Sequence, residues 1–222
     1  MRPGGLTVGP TTGALPWQSS AERRRARRAG RQLVMLLHAL AARGLRLTAL
    51  LYGEAPTPWA VYPAAVRTAG SGRYRYFFHV HDRHSRAEVG HFHLFDHGDG
   101  RGPGSHLIGL AIDGDGLPVR LFATNPWVTA ERPCTAALAL RHLGQFAPRG
   151  DDETCTLIGR YLGLVLAVFM PQVRSVLEAR DQRLRKTPRL AADRRVPVLS
   201  ARRICLRRQF RDLDRHEEEV WP

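Results

Sequence analysis

Seven of the ten histidines in this 222-residue chain fall between His79 and His106, and four of them form two His-x-His pairs, His79/His81 and His91/His93. In a strand, residues two apart share a face. Each pair therefore aims two imidazoles the same way, with Tyr74, Tyr76, Phe78 and Val80 opposed to the first pair and Phe92 and Leu94 to the second. A hairpin closed through residues 82–90 sets His81 opposite His91 and His79 opposite His93. Directly opposed Cβ atoms lie about 4.5–5.5 Å apart, close enough for imidazoles to meet on one ion at Zn–N distances of about 2.0–2.1 Å. Crowded imidazoles also resist protonation, since each added charge disfavours the next, and neutral imidazole is the form that binds metal. The predicted ligands are His79, His81, His91 and His93. Glu88, just before the second strand, and His106, at the start of the third, are further donors. An all-nitrogen set suits Zn, Cu or Ni, and three histidines with a carboxylate suit catalytic Zn, Mn or Fe. The competing reading is a structural cluster of hydrogen-bonded histidines. His84 and His97 fall in loops and are not expected to ligate.

Four strands carry these residues, at about 73–81, 89–97, 106–113 and 117–124, the last two joined by the Gly114-Asp115-Gly116 turn. Asp113-Gly-Asp115-Gly lacks the remaining donors of a calcium loop and is read as a turn. Leu33, Leu36, Leu37 and Leu40 repeat at helical spacing before Gly44, a helix-ending residue, and a short second helix follows at 47–51. Helices are expected from Pro133 to about Phe146 and from Thr154 to Lys186, the latter bent near Pro171. A short extended stretch, Val196 to Leu199, then leads through Ser200 as N-cap into a final helix. The predicted fold is α+β: an antiparallel four-stranded meander packed by helices on one face, with an N-terminal helix and C-terminal helices. Residues 1–20 read as a disordered leader, 21–52 as an Arg-rich helical segment, 53–213 as one domain and 214–222 as an acidic tail.

Charge is separate from the histidines. The formal charge of +14 comes from residues 1–47 and 174–211, while residues 48–173 hold eleven basic and eleven acidic side chains. Every basic residue except Lys186 is Arg, a bias that a GC-rich genome would produce by codon usage. Arg202, Arg203, Arg207 and Arg208 are expected around the last helix, where they would serve nucleic acid in the alternative reading. No nucleic-acid module motif accompanies them. Cys134, Cys155 and Cys205 form no Cys-x-x-Cys pair, so neither a disulfide framework nor a thiolate zinc site is expected, and a cytoplasmic setting fits. The apolar run from Leu157 to Met170 is too short to span a bilayer and is expected to be a buried helix. No phosphate loop, dinucleotide fingerprint, nucleophile elbow or His-Glu-x-x-His helix occurs, so no nucleotide cofactor is predicted.

Three stretches carry a family likeness: Tyr76-Phe77-Phe78-His79-Val80-His81, Gly90-His91-Phe92-His93-Leu94-Phe95, and Leu121 to Thr129 with its Asn125-Pro126-Trp127-Val128-Thr129. Together, from about Leu50 to Leu213, the chain resembles a family of uncharacterised bacterial proteins with a domain of unknown function. It departs from that pattern at Phe77-Phe78, where the family has tyrosines, and in its Arg-rich ends. The resemblance implies one structural unit and assigns no catalytic residue. Likeness to cupins extends to site logic alone, because Glu88 follows His81 by more residues than that motif allows. Asn125 and Trp127 are candidates for a lid or substrate contact over the histidines. The leading expectation is a metal-binding protein acting on a small molecule by hydrolysis or oxidation. The alternative is an Arg-rich nucleic-acid or protein interaction module.

Overall fold

Backbone hydrogen-bonding demand organises the centre of the molecule, because each strand placed beside another must satisfy its N–H and C=O groups along the shared edge. In the computed structural model, which describes residues 15–53, 57–62, 73–80, 87–98, 104–129, 132–148 and 152–218, six strands do so. They are β1 (Val61–Tyr62), β2 (Tyr74–His79), β3 (Gly90–Asp96), β4 (Ser105–Ile112), β5 (Pro118–Thr124) and β6 (Val198–Arg203). The sheet is antiparallel throughout and runs in sequence order. The expected four-strand meander is therefore its centre. Two residues of the proline-rich connector add β1 beside the end of β2, pairing Val61 with His79, and β6 fills the outer edge of β5.

That sixth strand corrects the reading of Ser200 as a helix cap. Ser200 donates its hydroxyl to the Val176 carbonyl at 2.7 Å, extended pairing continues to Arg203, and the helix begins only at Leu206. The helices are α1 (Ser20–Ala42), α2 (Leu47–Tyr52), α3 (Pro126–Thr129), α4 (Ala136–Leu143), α5 (Glu153–Val168), α6 (Met170–Lys186) and α7 (Leu206–Glu218), with a short 3-10 helix at Pro188–Ala192. Ser19 caps α1 by accepting from Glu22 N, and the Glu22 carboxylate returns to Gln18 N, a reciprocal arrangement of the capping-box kind. At the other end Gly44 has φ +67°, the conformation expected of a helix-ending glycine. Pro133 is not helical. Thr135 caps α4 instead, accepting from Leu138 N.

One sheet face is apolar. Tyr76, Phe78, Phe92, Leu94, Ile108, Leu110, Ile112 and Leu121 join Tyr161, Leu162, Val165, Val173, Val176 and Leu177 of α5 and α6 in a single core. Two tyrosines fasten α5 to this layer: Tyr76 donates to the Cys155 carbonyl at 3.0 Å and Tyr161 to the Gly116 carbonyl at 2.8 Å. Burial pushes both phenols up from their ordinary pKa, so they stay neutral donors. α1 lies outside α5, and its Gly30 meets the Phe210 ring of α7. The single bent helix expected at 154–186 is two helices meeting at 80°. Phe169 breaks the run and Pro171 sits in the first turn of α6, where its missing N–H costs nothing. No single described helix is long and apolar enough to cross a membrane.

Gly90 fixes where β3 starts. A Cβ there would lie 2.7 Å from the His79 carbonyl oxygen and 2.5 Å from the Phe78 ring. Since the nearest backbone cannot yield, Gly90→Ala is expected to destabilise the fold by about 1–3 kcal/mol, as overpacked cores do, read from the midpoint of a urea unfolding curve at unchanged slope.

Candidate metal centre

The face away from the helices is built in rows. Across the first, His79, His91, Ala111, Arg120 and Arg203 are successive cross-strand partners, and across the second, Phe77, His93, Gly109, Phe122 and Ala201. His79, His91 and His93 thus share a face, as strand parity requires, opposite Phe78, Phe92 and Leu94. The pairing itself differs from expectation by two residues: His79 lies opposite His91, and Phe77 opposite His93. The hairpin connection is correspondingly longer than 82–90. The close approach permitted by Gly90 and the edge contact of Phe78 with Phe92, centroids 4.9 Å apart, hold this register, and a two-residue shift preserves every face assignment. His81 and His84 lie outside the described residues.

One potential donor nitrogen from each of His79, His91 and His93 falls within 4.8 Å of the other two. The His79 and His91 rings are 5.4 Å apart and those of His91 and His93 4.8 Å, each pair nearly perpendicular. His91 and His93 are both 5% exposed. His79 is partly exposed and stands beside Trp59, centroids 5.9 Å apart, so the group meets solvent on its β2 side.

The two accessory candidates fall elsewhere. Glu88 grips Arg120 with both oxygens, Nε to Oε2 at 2.9 Å, and Arg120 also lies over the Phe122 ring at 4.7 Å. His106 stands behind His93 rather than among the three: His93 Nδ1 and His106 Nε2 are 3.0 Å apart, and His106 Nδ1 is 3.0 Å from the Thr124 hydroxyl. This His93–His106–Thr124 chain had no signature in the sequence. It depends on a bulge at Leu94/Phe95 that pairs His106 with Phe95, leaving Leu107 and Ile108 both in the apolar core. The floor is aromatic. Phe122 meets His91 and His93 edge-on at 5.1 and 5.7 Å, and its ring occupies the space that a side chain at Gly109 would need.

Other expected site residues have different work. Asn125 is fully buried and donates to the Leu190 and Val196 carbonyls, while Trp127 donates to the Asp193 carbonyl. Both pin residues 188–196 in place, so the lid over the histidines is corrected to a structural clasp. The four arginines of the alternative reading do not share a helix. Arg202 and Arg203 belong to β6 and point to opposite sheet faces, Arg202 bonding Ser175 of α6, and only Arg207 and Arg208 lie on α7.

A family model matches residues 27–204. The chain belongs to the DUF6969 family, described as a domain of unknown function. The matched stretch contains the whole sheet and the three histidines, together with α2 to α6 and most of α1. No curated protein and no solved structure matches the chain. The family description assigns no chemistry to this DUF6969 chain.

The protonation behaviour of the site follows from its burial. Burial first, then His93 and the Arg180 guanidinium, hold the pKa of His106 well below its ordinary 6.5, and burial lowers that of His142 against the opposing pull of Asp96. Both rings are neutral near pH 7. Below about pH 6.5 the unfolded chain takes up protons that the fold refuses, so stability falls as pH falls. Melting temperatures of metal-free protein from about pH 8 to about pH 5 are expected to drop on the acid side, and His106→Asn to flatten that drop. An unchanged profile in the variant would remove His106 as a cause.

Proposed function

We propose that this protein binds a divalent transition metal through His79, His91 and His93 and leaves at least one coordination position open to a small molecule. The observation that carries the reading is the convergence of three imidazoles, two of them almost fully buried, on one face of adjacent strands. A tetrahedral zinc site needs donor nitrogens about 3.3 Å apart, given Zn–N distances of about 2.0 Å, so ligation calls for side-chain rotation that draws together nitrogens now within 4.8 Å of one another. Because Glu88 is already satisfied by Arg120, the donor set is all nitrogen, which favours Zn, Cu or Ni over Mn or Fe. Three protein ligands among the described residues, with a position left free, are the arrangement of catalytic rather than structural zinc, and such an ion would lower the pKa of a bound water and polarise a carbonyl or phosphoryl group.

The supporting chain has its own part. His106, held by Thr124, fixes the ring of His93 and selects the nitrogen that faces the ion, the service that hydrogen-bonded partners give metal-bound histidines.

Metal analysis and calorimetric titration of untagged protein provide the test. One Zn2+ per chain is expected, raising stability by about 2.7 kcal/mol at a free concentration a hundred times Kd. Loss of both binding and stabilisation is expected in His91→Ala and His93→Ala. Folded protein without affinity for Zn, Cu or Ni would end the reading. His106→Gln should retain the stoichiometry but weaken affinity by about 10–100-fold, and full loss of stoichiometry would make His106 a ligand instead.

A further inference from the structure

The arginines at the start of α1 divide by direction. Arg27 bonds the Leu213 carbonyl of α7 and Arg25 the Gly144 carbonyl at the end of α4. Arg24 and Arg28, one turn apart, line a cavity of about 770 Å³ between α1 and α5, and Arg160 enters it from the α5 side. A second cavity of about 570 Å³ continues the first, sharing Ala21, Arg25, Phe146, Ala147, Gly163 and Ala167 with it. Leu140, Leu143, Phe146 and Met170 give it an apolar wall beside Arg25, Arg141 and Arg174.

Among the described residues the charge of this groove is uncompensated. Glu22 is the one acidic residue among those described in either lining, and it is paired with Arg174. Some cations elsewhere in the fold are matched with acids, as in Arg73–Asp96, Arg120–Glu88, Arg180–Asp181 and Arg195–Asp193. Among the described residues none ion-pairs Arg24, Arg28 or Arg160. Guanidiniums that line one cavity repel one another, and a multiply charged anion relieves that repulsion. Guanidinium presents forked donors suited to phosphate, and side chains four apart on a helix stand about 5–6 Å from each other, the scale of a di- or triphosphate. The volumes are those of small-molecule sites rather than of a track for a polymer.

We propose that this groove binds an organic polyphosphate, its phosphoryl groups on Arg24, Arg28 and Arg160 and its apolar or aromatic part against Leu140, Phe146 and Met170. The site lies on the helical side of the sheet, separate from the histidines and independent of any metal there.

Calorimetry of the full chain in EDTA, with ATP and inorganic triphosphate as probes, tests it. ATP is expected to bind more tightly than triphosphate, because only ATP fills the apolar end. Both should weaken as salt rises. The triple variant Arg24→Gln, Arg28→Gln, Arg160→Gln replaces exposed side chains, so its fold should be retained by circular dichroism. It is expected to lose roughly tenfold or more in ATP affinity, while Arg189→Gln with Arg207→Gln, remote arginines, should change nothing. Absence of ATP binding, equal loss in the remote variant, or an oligonucleotide that binds and that ATP cannot displace would each overturn the proposal.

Discussion

The constraint on which the molecule depends is the two-residue period of β3 and β4, strands buried along nearly their whole length on both faces. A slip of one residue would carry Phe92, Leu94, Leu110 and Ile112 out of the core and send His91 and His93 into it. The apolar face under α5 and α6 therefore does more than stabilise. By fixing the phase of the strands it dictates which residues can meet on the far side, and the histidines converge because the hydrophobic residues alternate correctly.

That dependence explains what the sequence could reveal. Parity is a property of the chain itself, so the shared face of His79, His91 and His93 was legible from spacing alone. Register is a property of two chains side by side, and nothing local to either strand announced that Gly90 would tuck against His79 and shift the pairing. His106 was harder still. By simple alternation it belongs with Ile108 on the apolar face, and only the extra residue in the bulge, Leu107, turns it toward His93. Asn125 and Trp127 illustrate the converse, since a conspicuous Asn-Pro-Trp cluster read as site chemistry serves to hold a neighbouring segment by three hydrogen bonds. The final helix was misplaced because Ser200 suits a helix cap equally well as it suits a strand that bonds α6.

Polar groups are divided between the two sides of the sheet by what can neutralise them. On the histidine side, burial holds His106 neutral and Glu88 cancels Arg120. Around α1 and α5, beyond the apolar layer, Arg24, Arg28 and Arg160 have no ion-pair partner among the described residues.

The two outer strands bear on how molecules of this protein meet. Among the described residues β1 contributes two, too few to template a neighbour, and β6 ends in Arg202 and Arg203. A short edge and a charged edge are the two simplest ways to stop an antiparallel sheet from recruiting strands from other chains. The arginines expected to serve nucleic acid thus also stand where a further strand would have to pair, and charge placed there opposes the growth of the sheet beyond the strands described.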